Sequence, residues 1–212
     1  MKPVIALLRR LRQAAAIALL GAACALPAAP AYAFDLAALQ QQLQQQSVIR
    51  GRFVQQKFLR SLPQPLTSTG DFVLATGHGL LWKLRSPLYQ DILVTSAGRF
   101  RRENGGTWRP VAQPIGADRE TRLFLDVLRG DTHALRDSFS VTLSGTASAW
   151  QLVLTPESPL LKQIFESIQI NGGRMVERIE LRETQGDRTV MEMTNTRADN
   201  QLDRDEVKDF AV

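Results

Sequence analysis

Histidine, cysteine and closely spaced carboxylates carry most enzyme chemistry, and this chain is poor in the first two. Among its 212 residues are two histidines, His78 and His133, and one cysteine, Cys24. The histidines stand too far apart in sequence to form a short metal-ligand pair. A single cysteine builds neither a disulfide framework nor a cysteine-based zinc site. No serine occupies a Gly-x-Ser-x-Gly elbow, and no phosphate loop, dinucleotide fingerprint or EF-hand spacing occurs. Gly77-His78-Gly79 reads as a turn between strands, and His133, close behind Asp131, as a solvated loop residue. Catalytic, metal-ligating and cofactor-binding residues are therefore all assigned as none. One cluster does suggest recognition. Arg99, Arg101, Arg102 and Arg109 surround a hairpin signal together with Phe100 and Trp108. Guanidinium groups so grouped suit phosphates or an acidic protein surface; an exposed strand face is the plain alternative.

The first 33 residues read as a secretory signal peptide. Lys2, Arg9, Arg10 and Arg12 precede the apolar run Ala14 to Leu26, and Ala31-Tyr32-Ala33 offers small residues for cleavage after Ala33. Pro27 and Pro30 argue against an uncleaved anchor. Leu20-Gly21-Ala22-Ala23-Cys24 is a poor lipoprotein box, because Gly21 stands where leucine belongs. Cleavage changes the charge balance. The whole chain carries 26 Lys and Arg against 21 Asp and Glu; without the four basic residues of the leader, 22 face 21. Bulk attraction to nucleic acid disappears with that excess. The mature chain, residues 34–212, also lacks cysteine, which suits an oxidising periplasm.

Behind the leader, Leu36, Leu39 and Leu43 recur at steps of three and four, with glutamines between them. This spacing predicts a helix capped by Asp35. Then the period shortens. Strands are expected around Val48 to Phe58, Gly70 to Ala75, Leu80 to Leu84, Asp91 to Thr95 and Arg99 to Arg102. Pro63 and Pro65 mark a loop, and Asn104-Gly105-Gly106 a hairpin. From Asp118 a helix is expected, with Leu123, Phe124, Val127 and Leu128 on one side and Gly130 past its end. Strands resume with Phe139, Val141 and Leu143, and with Trp150, Leu152 and Leu154. A short helix is open between Pro156 and Ile164. Ile168 and Ile170 lead into the hairpin signal Asn171-Gly172-Gly173, followed by strands at Met175 to Glu183 and Arg188 to Asn195. The tail, Asp203 to Phe210, is either a strand or a helix. About ten short antiparallel strands and two principal helices make one α+β domain, mainly β: a strongly curved sheet or incomplete antiparallel barrel with helices on one face.

The order of these segments resembles the LolA family, periplasmic carriers of outer-membrane lipoproteins. The resemblance rests on Phe53-Val54-Gln55, Gly70-Asp71-Phe72, Leu80-Leu81-Trp82 and the proline-led strand from Pro87 through Ile92-Leu93-Val94-Thr95-Ser96. It continues in Leu152-Val153-Leu154-Thr155-Pro156 and Leu161-Lys162-Gln163-Ile164. Family carriers place an arginine before a proline after the Gly-Asp strand, where it helps to latch the lid. The matching stretch here, Ala75-Thr76-Gly77, has neither, as in a divergent LolA-related branch.

What the resemblance implies is an apolar cavity under a helical lid, sheltering acyl chains in transit from the inner to the outer membrane. The helix bearing Leu123, Phe124, Val127 and Leu128 would be the lid, and Phe72, Leu74, Leu80, Trp82, Phe100 and Trp108 the candidate walls. Partners implied are acylated lipoprotein or lipid cargo, a LolCDE-like inner-membrane ABC transporter and a LolB-like outer-membrane receptor, with the carrier itself a monomer. Three alternatives stand beside it: a carrier of another acylated or polyene-type lipid, an enzyme on the same half-barrel, and a tethered receptor that would need lipidated Cys24.

Overall fold

Leucine spacing, turn glycines and alternating strands are realised in a computed structural model that describes residues 34–111 and 135–212. The described residues fall within one unit of the chain, Phe34–Val212. Helix α1 runs Leu36–Gln44, and the Asp35 carboxylate accepts from the Ala38 N–H at 2.8 Å, as its cap position predicts. Leu39 and Leu43 are its buried side chains; the glutamines lie on the faces around them.

Eleven strands follow: β1 Val48–Phe58, β2 Leu66–Ala75, β3 Gly79–Ser86, β4 Gln90–Thr95, β5 Gly98–Glu103, β6 Arg109–Pro110, β7 Phe139–Thr146, β8 Ala149–Pro156, β9 Phe165–Gly172, β10 Val176–Glu183 and β11 Arg188–Asp199. Between β8 and β9 lies the short helix α2, Pro159–Lys162, capped by Ser158. The tail, open to two readings in the sequence, is helix α3, Arg204–Phe210.

All eleven strands belong to one sheet in the order β6-β5-β4-β3-β2-β1-β11-β10-β9-β8-β7. It is made of two antiparallel meanders, joined where β1 pairs with β11. The sheet is not closed into a barrel: among the described residues, β6 and β7 stand at its two ends. The chain leaves at one edge and returns at the other, and the residues between, 112–134, lie outside the described residues. The expected helix with Leu123, Phe124, Val127 and Leu128 falls there, as does the leader at residues 1–33. Among the described residues, no helix is long and apolar enough to cross a membrane.

Eleven flat strands would span about 48 Å, whereas the nine residues of α1 measure about 13.5 Å. Yet side chains on one face are buried continuously from β3 to β8 in a single cluster that includes Leu39 and Leu43. A sheet this wide buries that much of one face by curling on itself. We call this face inner.

The outer face is treated differently in its two halves. Across β1 to β4, Val48, Val73, Ala75, Leu81 and Leu93 form a second cluster, against which Leu202 and Phe210 pack. On β10, by contrast, Glu180 is surrounded by Arg178 at 2.7 Å, Arg182 at 2.8 Å and Arg188 at 3.8 Å. Helix α3 thus covers the apolar half, and its start is a capping box. Asp203 Oδ1 accepts from the N–H groups of Asp205 and Glu206, at 3.0 and 2.8 Å, and Glu206 Oε2 accepts from the Asp203 N–H at 2.8 Å. Asp203→Ala should cost about 1 kcal/mol. A fall in melting temperature of about 2–4 °C would be the readout.

Candidate functional site

The inner face is built by strand parity. Cross-strand partners Phe72↔Trp82 and Leu74↔Leu80 carry it over β2 and β3, and Trp82↔Ile92 and Leu80↔Val94 carry it to β4. On the other side of β1 it continues through Met193 opposite Phe53 and Met191 opposite Gln55, then Ile179, Ile170 and Leu152 in successive strands. Four of the sequence-predicted wall residues therefore stand together: Phe72, Leu74, Leu80 and Trp82, all at most 8% exposed.

The other two do not join them. Phe100 pairs with Leu93, whose side chain belongs to the outer cluster, and Trp108 packs on that same cluster. This corrects their expected place. Their aromatic character was legible, but the register between β4 and β5 decides the face. Residues that sequence reasoning did not group with these four share their cluster: Trp150, Leu152 and Leu154 on β8, Ile168 and Ile170 on β9, and Met191 and Met193 on β11. Their alternation was visible in the sequence; their shared face with Phe72 was not.

Two glycines shape the aromatic centre. In the β1–β2 pair, Gly51 stands opposite Phe72, and Phe53 opposite Gly70. A Cβ on Gly70 would lie 2.8 Å from the Phe53 ring and 2.0 Å from the Lys83 carbonyl oxygen; one on Gly51 would lie 2.7 Å from the Phe72 ring. Each glycine lets the ring opposite lie flat on the sheet. Phe53 then stacks on Trp82 with centroids 3.7 Å apart, and Phe72 lies 6.0 Å from Trp82. Trp150 donates its indole N–H to the Gly173 carbonyl at 2.6 Å, so its one polar atom is satisfied in an apolar setting.

Polar chemistry is sparse. His78 sits in the β2–β3 turn, its ring 5.9 Å from that of Phe210. It borders a cavity of about 550 Å³ lined by residues including Ser47, Thr76, Leu202 and Val207, on the outer side. A second cavity, about 400 Å³, lies by the β7–β8 and β9–β10 turns. Among the described residues, no group of three or more His, Cys, Asp and Glu is placed to hold a metal. The buried carboxylates Asp91, Glu206 and Asp209 are bound by arginines. Arg85 and Arg102 each reach Asp91 at 2.8 Å, Arg102 reaches Asp209 at 2.5 Å, and Arg50 holds Glu206. These carboxylates fasten α3 to the sheet.

An antiparallel sheet left open at both edges, with one face apolar across most of its width, defines a half-barrel class. The family model described as outer membrane lipoprotein carrier protein LolA-like matches residues 28–208. The chain belongs to that family. Similar solved structures include a LolA superfamily protein from Nitrosomonas europaea, at 9% identity over 81% of this chain and 96% of that one, with a TM-score of 0.45. An outer membrane lipoprotein-sorting protein domain from Vibrio parahaemolyticus matches at 7% identity, over 83% and 96% of the two chains, with a TM-score of 0.47. In the MucA/MucB complex of Pseudomonas aeruginosa, the match is 13% identical and covers 81% of this chain and 58% of that one, with a TM-score of 0.47. No curated protein matches in sequence.

Proposed function

We propose that this protein is a non-enzymatic periplasmic carrier that shelters acyl chains against the inner face of its sheet. Family membership supports the class. The observation that carries the reading is the unbroken apolar inner face from β3 to β8. On this reading the leader is removed after Ala33, and the mature carrier works as a monomer between the inner and outer membranes. The family implies lipoproteins as cargo, a LolCDE-like transporter that loads them and a LolB-like receptor that accepts them. Another acylated lipid is the second cargo class. Phe72, Leu74, Leu80 and Trp82 supply part of the wall, and the segment carrying Leu123, Phe124, Val127 and Leu128 is the cover.

The energetics favour such a design. Burying a methylene is worth about 0.8 kcal/mol, so a sixteen-carbon chain offers on the order of 12 kcal/mol. Unopposed, that would hold cargo too tightly for release. Opening the site must offset part of it.

Native mass spectrometry of the protein purified from periplasm, with extraction of what it carries, tests the proposal. A bound lipoprotein or acylated lipid is expected. An empty protein that also refuses a fluorescent fatty-acyl probe would leave the inner face as an ordinary core. Phe124→Asp should weaken acyl-probe binding in a protein that still folds; unchanged affinity removes that segment from the cover.

A further inference from the structure

The four arginines that the sequence groups around one hairpin are separated by the fold. Arg102 turns outward, where it meets Asp91 at 2.8 Å and Asp209 at 2.5 Å and lies 4.4 Å from the Trp108 ring centroid. The other three face inward. Arg99 is the partner of Val94, Arg101 is the partner of Ile92, and Arg109 is the partner of Arg101. Ile92 and Val94 pack against the inner apolar cluster. Three guanidinium groups therefore stand at the margin of that cluster, on the same face.

Among the described residues, little compensates them. Glu103 lies 3.5 Å from Arg101, and both side chains are more than half exposed. Arg99 and Arg109 have no ion pair among the described residues, and Arg99 Nε is buried without a hydrogen-bond partner. Residues directly opposite across two strands have Cβ atoms about 4.5–5.5 Å apart, where like charges repel. Arg99 and Arg101, two apart on one strand, are separated by about 7 Å. Charges at a sheet edge also discourage edge-to-edge pairing. Here that need is already met, because β6 is two residues long and contains Pro110. A triangle of forked donors beside an apolar floor instead matches an amphiphile with a phosphate head.

We propose that Arg99, Arg101 and Arg109 bind the phosphate head group of an acylated lipid whose chains lie on the inner face. This rests on the carrier reading and selects, between its two cargo classes, an anionic phospholipid rather than a lipoprotein.

The test offers delipidated protein three probes: dioleoyl phosphatidic acid, dioleoylglycerol and inorganic phosphate. The two lipids share their chains and differ in the phosphate. Native mass spectrometry reads lipid uptake, and thermal shift reads the phosphate ion. The wild type should retain phosphatidic acid at least about tenfold better than dioleoylglycerol, as charge-assisted hydrogen bonds allow. Arg101→Gln with Arg109→Gln should erase that preference while dioleoylglycerol uptake, which also reports folding, stays unchanged. Arg101→Lys with Arg109→Lys should restore part of it. Equal uptake of both lipids by the wild type overturns the head-group site and leaves the carrier reading standing. A phosphate-ion effect without lipid preference overturns it as well. Uptake of neither lipid overturns the carrier reading itself.

Discussion

Arg50→Ala should lower the unfolding free energy by about 3–5 kcal/mol, the usual cost of breaking a buried ion pair from one side. Arg50 lies on β1 with its side chain 12% exposed, and Glu206, on α3, is 5% exposed. Its Nε donates to Glu206 Oε1 at 2.7 Å, Nη2 donates to Glu206 Oε2, and Nη1 donates to Asp199 at 2.6 Å. The Gln201 carbonyl accepts a further bond from Nη2 at 3.0 Å. One guanidinium thus holds the end of β11, the following turn and the first turn of α3. The hydrogen bonds to Glu206 raise its pKa further, so it stays charged at any accessible pH. Truncation leaves Glu206 buried with the Asp203 N–H as the one remaining partner of its side chain among the described residues. Urea unfolding measures the loss. Arg50→Met combined with Glu206→Leu should recover much of it, because no buried charge is then left alone. If the single variant costs no more than a surface pair, Arg50 is not what holds α3.

The same network gives stability a pH dependence with a definite sign. Asp199 is held below the usual carboxylate range chiefly by the hydrogen bond from Arg50, and Asp203 chiefly by the backbone N–H of Glu206. A carboxyl whose folded pKa is lowered stabilises the fold fully above its unfolded value. That contribution fades as pH falls through the folded value. With an unfolded value of about 3.9, stability should decline below about pH 4. The decline should be shallower in Arg50→Ala, as urea midpoints across that range would show.

Phe53→Ala should cost about 3–5 kcal/mol, the range for deleting a buried aromatic ring. Phe53 is 1% exposed, stacks on Trp82 and occupies the space that Gly70 leaves empty. The neighbours cannot close the gap easily. β1 is held by ladders on both sides, to β2 throughout and to β11 with one irregularity between Arg50 and Arg52. A double-mutant cycle with Trp82→Ala should return a coupling of about 0.5–1.5 kcal/mol for the stacked pair. Additive losses would mean that the two rings only share a core.

Turns and periodic segments were legible because they are local. Asp35 caps α1, and Ser158 caps a short helix inside the stretch where one was open. Asn104 and Gly105 take positive φ, of 49° and 71°, at the hairpin their pair announced. The start of β2 was less readable. Leu66 to Thr69 belong to the strand, although Thr67, Ser68 and Thr69 lack apolar alternation; their ladder to Gln56, Gln55 and Val54 holds them. The tail was undecided because the acidic first turn reads as a helix only once Asp203 and Glu206 close their capping box.

By itself the sequence determined the order of most of the described strands, the LolA-like membership and the open half-barrel class. Each of these follows from local spacing or from segment order. Only the tertiary structure decided which way alternate residues point: Phe72 and Trp82 inward, Phe100 and Trp108 outward, Arg102 into a buried ion network and Arg99, Arg101 and Arg109 away from it. Strand parity defines two faces and cannot say which is concave. That assignment came from the pairing of β1 with β11, whose partners from Val48↔Asp199 to Phe58↔Arg188 are far apart in sequence, and from α3 covering the opposite side.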